Sequence, residues 1–223
     1  MSAPPNVNNE LIGIDIEIIK EKIKTILEKY LADRDYISNK VDIWKETILS
    51  EIEKFLSNYI DFKFGVKIGI LNKTIKNRDY LKSSACYVNK NYIKYFYVEF
   101  KSKKIYSCIE FHLFKKNNIN KFSNLDLNEK MTIIEKDFIN FFEGRNYETI
   151  KLKYYEMFKK KFFDETLKNL KSGLFYCILY SNEFYECTRK MMIINKDESD
   201  LCEEKLFKND DNSLLYVGLS KIY

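Results

Sequence analysis

A spacing of 111 residues constrains this chain more than its composition does: Tyr36-xxx-Lys40-xxx-Trp44 returns as Tyr147-xxx-Lys151-xxx-Tyr155. The same shift carries Leu56 to Leu167, Asn58 to Asn169, Phe64 to Phe175, Val66 to Cys177 and Ile68 to Leu179. These pairs span one stretch of helical periodicity and one of strand periodicity, so what recurs is a piece of fold. Two units of about 110 residues are within the ordinary range for a domain.

The elements follow from the spacing of apolar residues. Ile12, Ile16, Ile19, Ile23, Ile26 and Tyr30 recur at intervals of three and four and predict a helix over 11–31. After Asp33-Arg34-Asp35, the residues Val41, Trp44, Ile48, Ile52, Phe55 and Tyr59 predict a second helix over 38–59, with Trp44 in the core. The period then changes to two. Phe62, Phe64, Val66, Ile68 and Ile70 alternate with Lys63, Gly65, Lys67 and Gly69, the pattern of a half-buried antiparallel strand with its lysines toward solvent. Further strands are predicted over 83–89, 92–100 and 105–114, with KSKK at 101–104 as an exposed turn. Within SSACYVNKNYIKYFYVEFKSKK, Tyr92, Phe96, Val98 and Phe100 are expected on the packed face and Tyr95 and Tyr97 on the other.

The polar run KKNNINKFSN at 115–124 reads as a linker, after which the order starts again. Leu127, Met131, Ile134, Phe138 and Phe141 predict a helix over 126–142, a further helix is expected over 147–171, and LFYCILYS at 174–181 opens a second sheet. KKIYSCIEFHLF (103–114) parallels NSLLYVGLSKIY (212–223) at the chain end. The repeat is imperfect where Ile48 and Leu49 meet Lys159 and Lys160. The expected fold class is α+β: two tandem ααββββ units, at 10–114 and 125–223, with helices packed on antiparallel sheets.

Composition narrows the function. Apolar residues at 45% suffice for a core and exclude a disordered chain. The net charge of +5 is spread over both halves, too mild and mixed for a nucleic-acid or membrane footprint. Five cysteines without a CxxC argue against a disulfide framework and for reduced, cytoplasmic thiols. No segment approaches the roughly 18 apolar residues of a membrane span, and none resembles a secretory leader. The Asn72-to-Thr74 glycosylation pattern carries no weight in that setting.

Catalysis finds little support. His112, the single histidine, shares a strand with Cys108, but four residues along a strand separate them by about 13 Å, too far for a base to activate a thiol. No phosphate-cradling loop, HExxH or metal-ligand spacing occurs, so neither enzyme activity nor a cofactor is expected. A nucleic-acid scaffold would use Lys101, Lys103 and Lys104 with Lys159, Lys160 and Lys161, but DESDLCEE at 197–204 interrupts any basic stripe.

YISNKVDIW, FKFGVKIGILNK, SSACYVNKNY and KKIYSCIEF, in that order, resemble the Tctex-type dynein light chains over about 10–114. Over 125–223, Tyr147, Lys151 and the terminal LLYVGLSKIY fit, while YECTRKMMII (185–194) replaces the Ser-Ser-x-Cys strand. The resemblance implies a non-catalytic cytoskeletal adaptor whose units exchange a strand and which binds a dynein intermediate chain or cargo peptide by β-strand addition. The position-by-position match makes Ser83, Ser84, Ala85, Cys86, Tyr87 and Val88 the expected peptide-binding segment, with Arg189, Lys190, Met191, Met192 and Ile193 as its counterpart. Ordinary sheet packing is the plain alternative for both. Two units in one chain imply a pseudo-dimer with unequal grooves, provided that ten linker residues, reaching at most about 33–36 Å, suffice; otherwise two chains pair. Another cytoskeletal or axonemal partner in place of dynein remains open at this level.

Overall fold

The computed structural model describes residues 14–73, 80–87, 92–116, 127–142, 173–181, 187–198, 200–208 and 213–221. Helices α1 (Ile16–Leu31) and α2 (Ser38–Leu56) precede strands β1 (Phe62–Asn72), β2 (Tyr80–Tyr87), β3 (Tyr92–Lys101) and β4 (Ile105–Lys115). Helix α3 (Leu127–Phe142) then leads to β5 (Gly173–Ser181), β6 (Cys187–Ile194), β7 (Leu201–Lys208) and β8 (Ser213–Lys221). The helix expected over 147–171 lies outside the described residues, as does most of the linker.

Both first-half helices are shorter than their periodicity suggests. Asp15 caps α1, its carboxylate accepting from the amides of Glu17 at 2.9 Å and Ile18 at 3.3 Å, so the helix begins at Ile16 and not at 11. Helix α2 ends at Leu56 instead of 59 because Asn195, far along the chain, reaches its last turn. The Asn195 Nδ2 donates to the carbonyls of Leu56 at 3.2 Å, Tyr59 at 3.0 Å and Phe62 at 3.0 Å. Carbonyls at a helix end lack partners within the helix, and this amide supplies one.

Asn195 also holds a φ of 59°, a region asparagine tolerates better than most residues. Asn195→Ala is therefore expected to lose about 0.5–1.5 kcal/mol through the lost amide bonds, the Leu56 and Tyr59 carbonyls keeping the backbone amides of Tyr59 and Phe62, and a further ~1 kcal/mol from the left-handed backbone. Asn195→Gly should lose only the first part. Denaturant midpoints of the two variants separate these contributions, and equal losses would show that backbone conformation is not involved.

The strands form two four-stranded antiparallel sheets with orders β3-β4-β1-β6 and β2-β5-β8-β7. Each sheet thus takes three strands from one half of the chain and its outermost fourth from the other. In the first, β6 pairs with β1, Val66 standing opposite Met192. In the second, β2 pairs with β5, Ser83 standing opposite Cys177.

One face of the first sheet carries the core. Phe64, Val66, Ile68 and Ile70 of β1, Ile109, Phe111 and Leu113 of β4, and Phe96 and Val98 of β3 are buried together with the stripes of α1 and α2, Trp44 included. Phe100 packs against this cluster and Phe96 stacks on Phe111 at 4.8 Å, while Tyr95 and Tyr97 are exposed on the other face. The alternation in β3 sorted Phe96, Val98 and Phe100 from Tyr95 and Tyr97 as expected, whereas Tyr92 lies across a register irregularity before Lys94 and its side chain is outside the described residues.

Strand β1 departs from expectation. Its lysines do not face solvent: Lys63 is 1% and Lys67 2% exposed. Lys67 pairs with Glu110 on the neighbouring strand at 3.3 Å, and Lys63 pairs with Asp197 and Asp200 at 2.8 Å each. A charge withdrawn from water needs a partner of opposite sign, and the second half of the chain supplies two of them to Lys63. Both faces of β1 are covered, which alternation alone cannot reveal.

The registers also revise the repeat. With Val66 and Cys177 as counterparts, Phe111 stands opposite the first and Val217 opposite the second, a shift of 217 − 111 = 106. Laying 103–114 over 212–223 implies a shift of 212 − 103 = 109. Alternating apolar strands carry few landmarks along their length, and ladder pairing sets their register.

Candidate functional site

The two segments singled out from the sequence lie on the two outermost, exchanged strands. Ser83, Ser84, Ala85, Cys86 and Tyr87 belong to β2, opposite Cys177, Tyr176, Phe175, Leu174 and Gly173 of β5; Val88 lies outside the described residues. Arg189, Lys190, Met191, Met192 and Ile193 belong to β6, opposite Gly69, Ile68, Lys67, Val66 and Gly65 of β1. The structure therefore puts the segments in different sheets, each as an edge strand with one side hydrogen-bonded and the other turned away from its sheet.

Strand β6 is fastened to the first half along its length. Lys190 Nζ lies 2.9 Å from the Glu46 carboxylate, and Lys45 Nζ donates to the Arg189 carbonyl at 3.3 Å. Beyond its end come the Asn195 amide and the pairing of Lys63 with Asp197 and Asp200. Lys116 adds a second cation to Asp197 at 3.1 Å. Desolvation raises the pKa of Asp197, but hydrogen bonds from Lys63 and Lys116 outweigh it and leave this carboxyl below its ordinary value.

Two glycines make room for the exchange. A Cβ on Gly69 would fall 2.1 Å from Arg189 Nη1, so the guanidinium occupies space that any side chain there would claim. A Cβ on Gly218 of β8 would meet Met191 Cε at 3.1 Å. Glycine within a strand marks a close approach by another group, so Gly69 in β1 carries a signal of the exchange that periodicity alone does not use.

Strand β7 also reaches β6. The Met191 amide donates to the Glu204 carboxylate, and the Cys202 thiol donates to the Met191 carbonyl at 3.6 Å. Burial pushes the Cys202 thiol up to about 12, with Glu204 and Glu203 adding to the shift, so it stays protonated as a donor. Neither residue stood out in the sequence, because a carboxylate and a thiol on an alternating strand carry no motif.

Chemistry of other kinds gains no geometry. His112 is buried in β4 with its ring 5.1 Å from Tyr95; burial, then the charge of Lys67, lowers its pKa to about 2. Among the described residues, no cluster of three or more histidine, cysteine, aspartate or glutamate side chains could hold a metal ion. No helix among them is long and apolar enough to cross a membrane. In the basic turn, Lys104 pairs with Asp35 at 2.6 Å and Lys101 with Glu99 at 2.9 Å, which offsets the charge a nucleic acid would seek. Lys159, Lys160 and Lys161 lie outside the described residues.

A search of the curated proteins finds none that matches the chain. The profile of the Tctex-1 family matches residues 13–112, a span that takes in α1, α2, β1, β2, β3 and most of β4. That family comprises non-catalytic dynein light chains. The mixed helix and antiparallel-sheet fold agrees with it, and over residues 13–112 the chain is similar to a Tctex-1 family domain.

Proposed function

We propose that the chain is a dynein light-chain adaptor in which two Tctex-type units, 10–114 and 125–223, form a pseudo-dimer within one polypeptide. It holds an extended segment of a dynein intermediate chain or of cargo as an added strand. The observation that carries this reading is the reciprocal exchange of β2 and β6, each the outermost strand of the other half's sheet. Strand addition draws affinity from main-chain groups on an edge and selectivity from side chains alternating along it. An exchanged edge strand provides that surface without exposing the core of either half.

The test is an NMR titration of the isotope-labelled chain with a synthetic peptide from a dynein intermediate chain, with the chain's mass in solution measured alongside. Expected are amide shifts concentrated on an exchanged strand, saturable binding, and a single-chain mass of 26.8 kDa. No shift at millimolar peptide would remove the dynein intermediate chain as the partner. A mass of two chains would replace the internal pseudo-dimer with an intermolecular one.

A further inference from the structure

The outer edge of β6 is met by side chains of β7. Met191 stands opposite Lys67 in the ladder, yet its amide and its carbonyl both engage side chains of β7, so its main-chain groups turn away from β1. Main-chain direction alternates along an antiparallel strand, and Arg189 and Ile193 share this outward orientation. The Arg189 carbonyl accepts from Lys45. The groups an incoming strand would need at the centre of this edge are thus already engaged by Glu204, Cys202 and Lys45. Cys202 and Glu204, two apart on β7, address it from one face.

The corresponding positions in the first half carry other residues. Phe96 pairs with Phe111 as Lys205 pairs with Val217, so Tyr95, opposite His112, corresponds to Glu204, opposite Gly218. Across the irregularity between Tyr92 and Lys94, Tyr92, opposite Phe114, corresponds to Cys202, opposite Ser220. Two tyrosines stand where β7 has a carboxylate and a thiol. The Tyr95 ring is engaged with His112 at 5.1 Å and Tyr97 at 6.3 Å.

We infer that the chain has a single working groove: an extended peptide segment adds at the outer edge of β2, while the edge of β6 is closed from within by Glu204 and Cys202. This rests on the strand-addition reading above. A symmetric dimer offers two equal edges and can bridge two ligands, whereas this chain takes up one segment and gains no avidity from a second site. The Glu204 carboxylate acts as an internal competitor, a charge-assisted acceptor on the amide that an incoming strand would have to capture.

The experiment uses the full chain and the intermediate-chain peptide, with amide hydrogen exchange measured before peptide is added. In the unsubstituted protein the Met191 amide should exchange slowly, and peptide should saturate at one per chain with shifts on 80–87. Glu204→Ala should speed exchange at Met191 at least about tenfold and open a second site. Glu204→Gln, which keeps an acceptor, should leave one site. Two equal sites in the unsubstituted protein, shifts on β6, or Met191 exchange unaffected by Glu204→Ala would each overturn the inference. If Glu204→Ala fails to fold, stoichiometry and shift location in the unsubstituted protein still decide it. If no peptide binds to any variant, the strand-addition reading falls and the β2 groove with it, and the exchange rates alone decide whether Glu204 closes β6.

Discussion

Replacing Lys63 with methionine is expected to remove about 3–5 kcal/mol of folding stability, the usual loss when one partner of a buried ion pair is deleted. Lys63 is 1% exposed and serves two carboxylates, of which the Asp200 side chain is fully buried. Without the ammonium, Asp200 remains in a site that cannot hydrate it, whereas Asp197 keeps Lys116. Burial already raises the Asp200 pKa, and the hydrogen bond from Lys63 offsets only part of that. For a domain of ordinary stability, about 5–15 kcal/mol, the loss brings the fold near its limit. Because the two carboxylates belong to the turn between β6 and β7, the damage should appear as faster amide exchange along β6. Adding Asp200→Leu to Lys63→Met should restore most of the stability, since a well-packed apolar pair often equals a buried ion pair. A loss below about 1 kcal/mol in the single variant, typical of exposed pairs, would show that water reaches this pair in solution.

The second large effect is an acid-linked loss centred on His112. Burial, then the nearby Lys67 charge, lowers its folded pKa to about 2, against an ordinary value of 6.5. Below pH 6.5 the unfolded chain takes up a proton that the folded chain refuses, so the stability contributed by the neutral ring is complete above that pH and is lost progressively toward the folded pKa. The slope is about 1.4 kcal/mol per pH unit, or roughly 2 kcal/mol between pH 6.5 and 5. Since His112 is the single histidine of the chain, its imidazole proton signals need no assignment, and they should not titrate in the folded protein across that range. His112→Leu should flatten the profile between pH 6.5 and 5. A slope that survives this substitution would place the acid sensitivity in the carboxylates.

Much of the first half was legible because each element records its own burial. The stripe from Ile16 to Leu31, the α2 face with Trp44, and the division of β3 into buried Phe96 and Val98 against exposed Tyr95 and Tyr97 all follow from periods of 3.6 and 2. The segments Ser83–Val88 and Arg189–Ile193 came from a resemblance, and their described residues lie on edge strands of two different sheets. What the residues did not disclose were relations across the chain. Nothing near Asn195 indicates that its amide ends α2, because its three acceptors lie more than 130 residues away. The same holds for Glu204 and Cys202, whose contacts with Met191 depend on which main-chain groups of β6 turn outward.

Sequence by itself determined the order of elements in the first half and their amphipathic faces, because local periodicity needs no knowledge of the partner. Only the tertiary structure decided that β1 is covered on both faces, that β2 and β6 change places between sheets, and that the Met191 amide and carbonyl meet Glu204 and Cys202. Those outcomes depend on ladder register and on charges withdrawn from water beside partners in the other half of the chain. Such pairings are set by free energies summed over the whole fold, and no local stretch of residues records them.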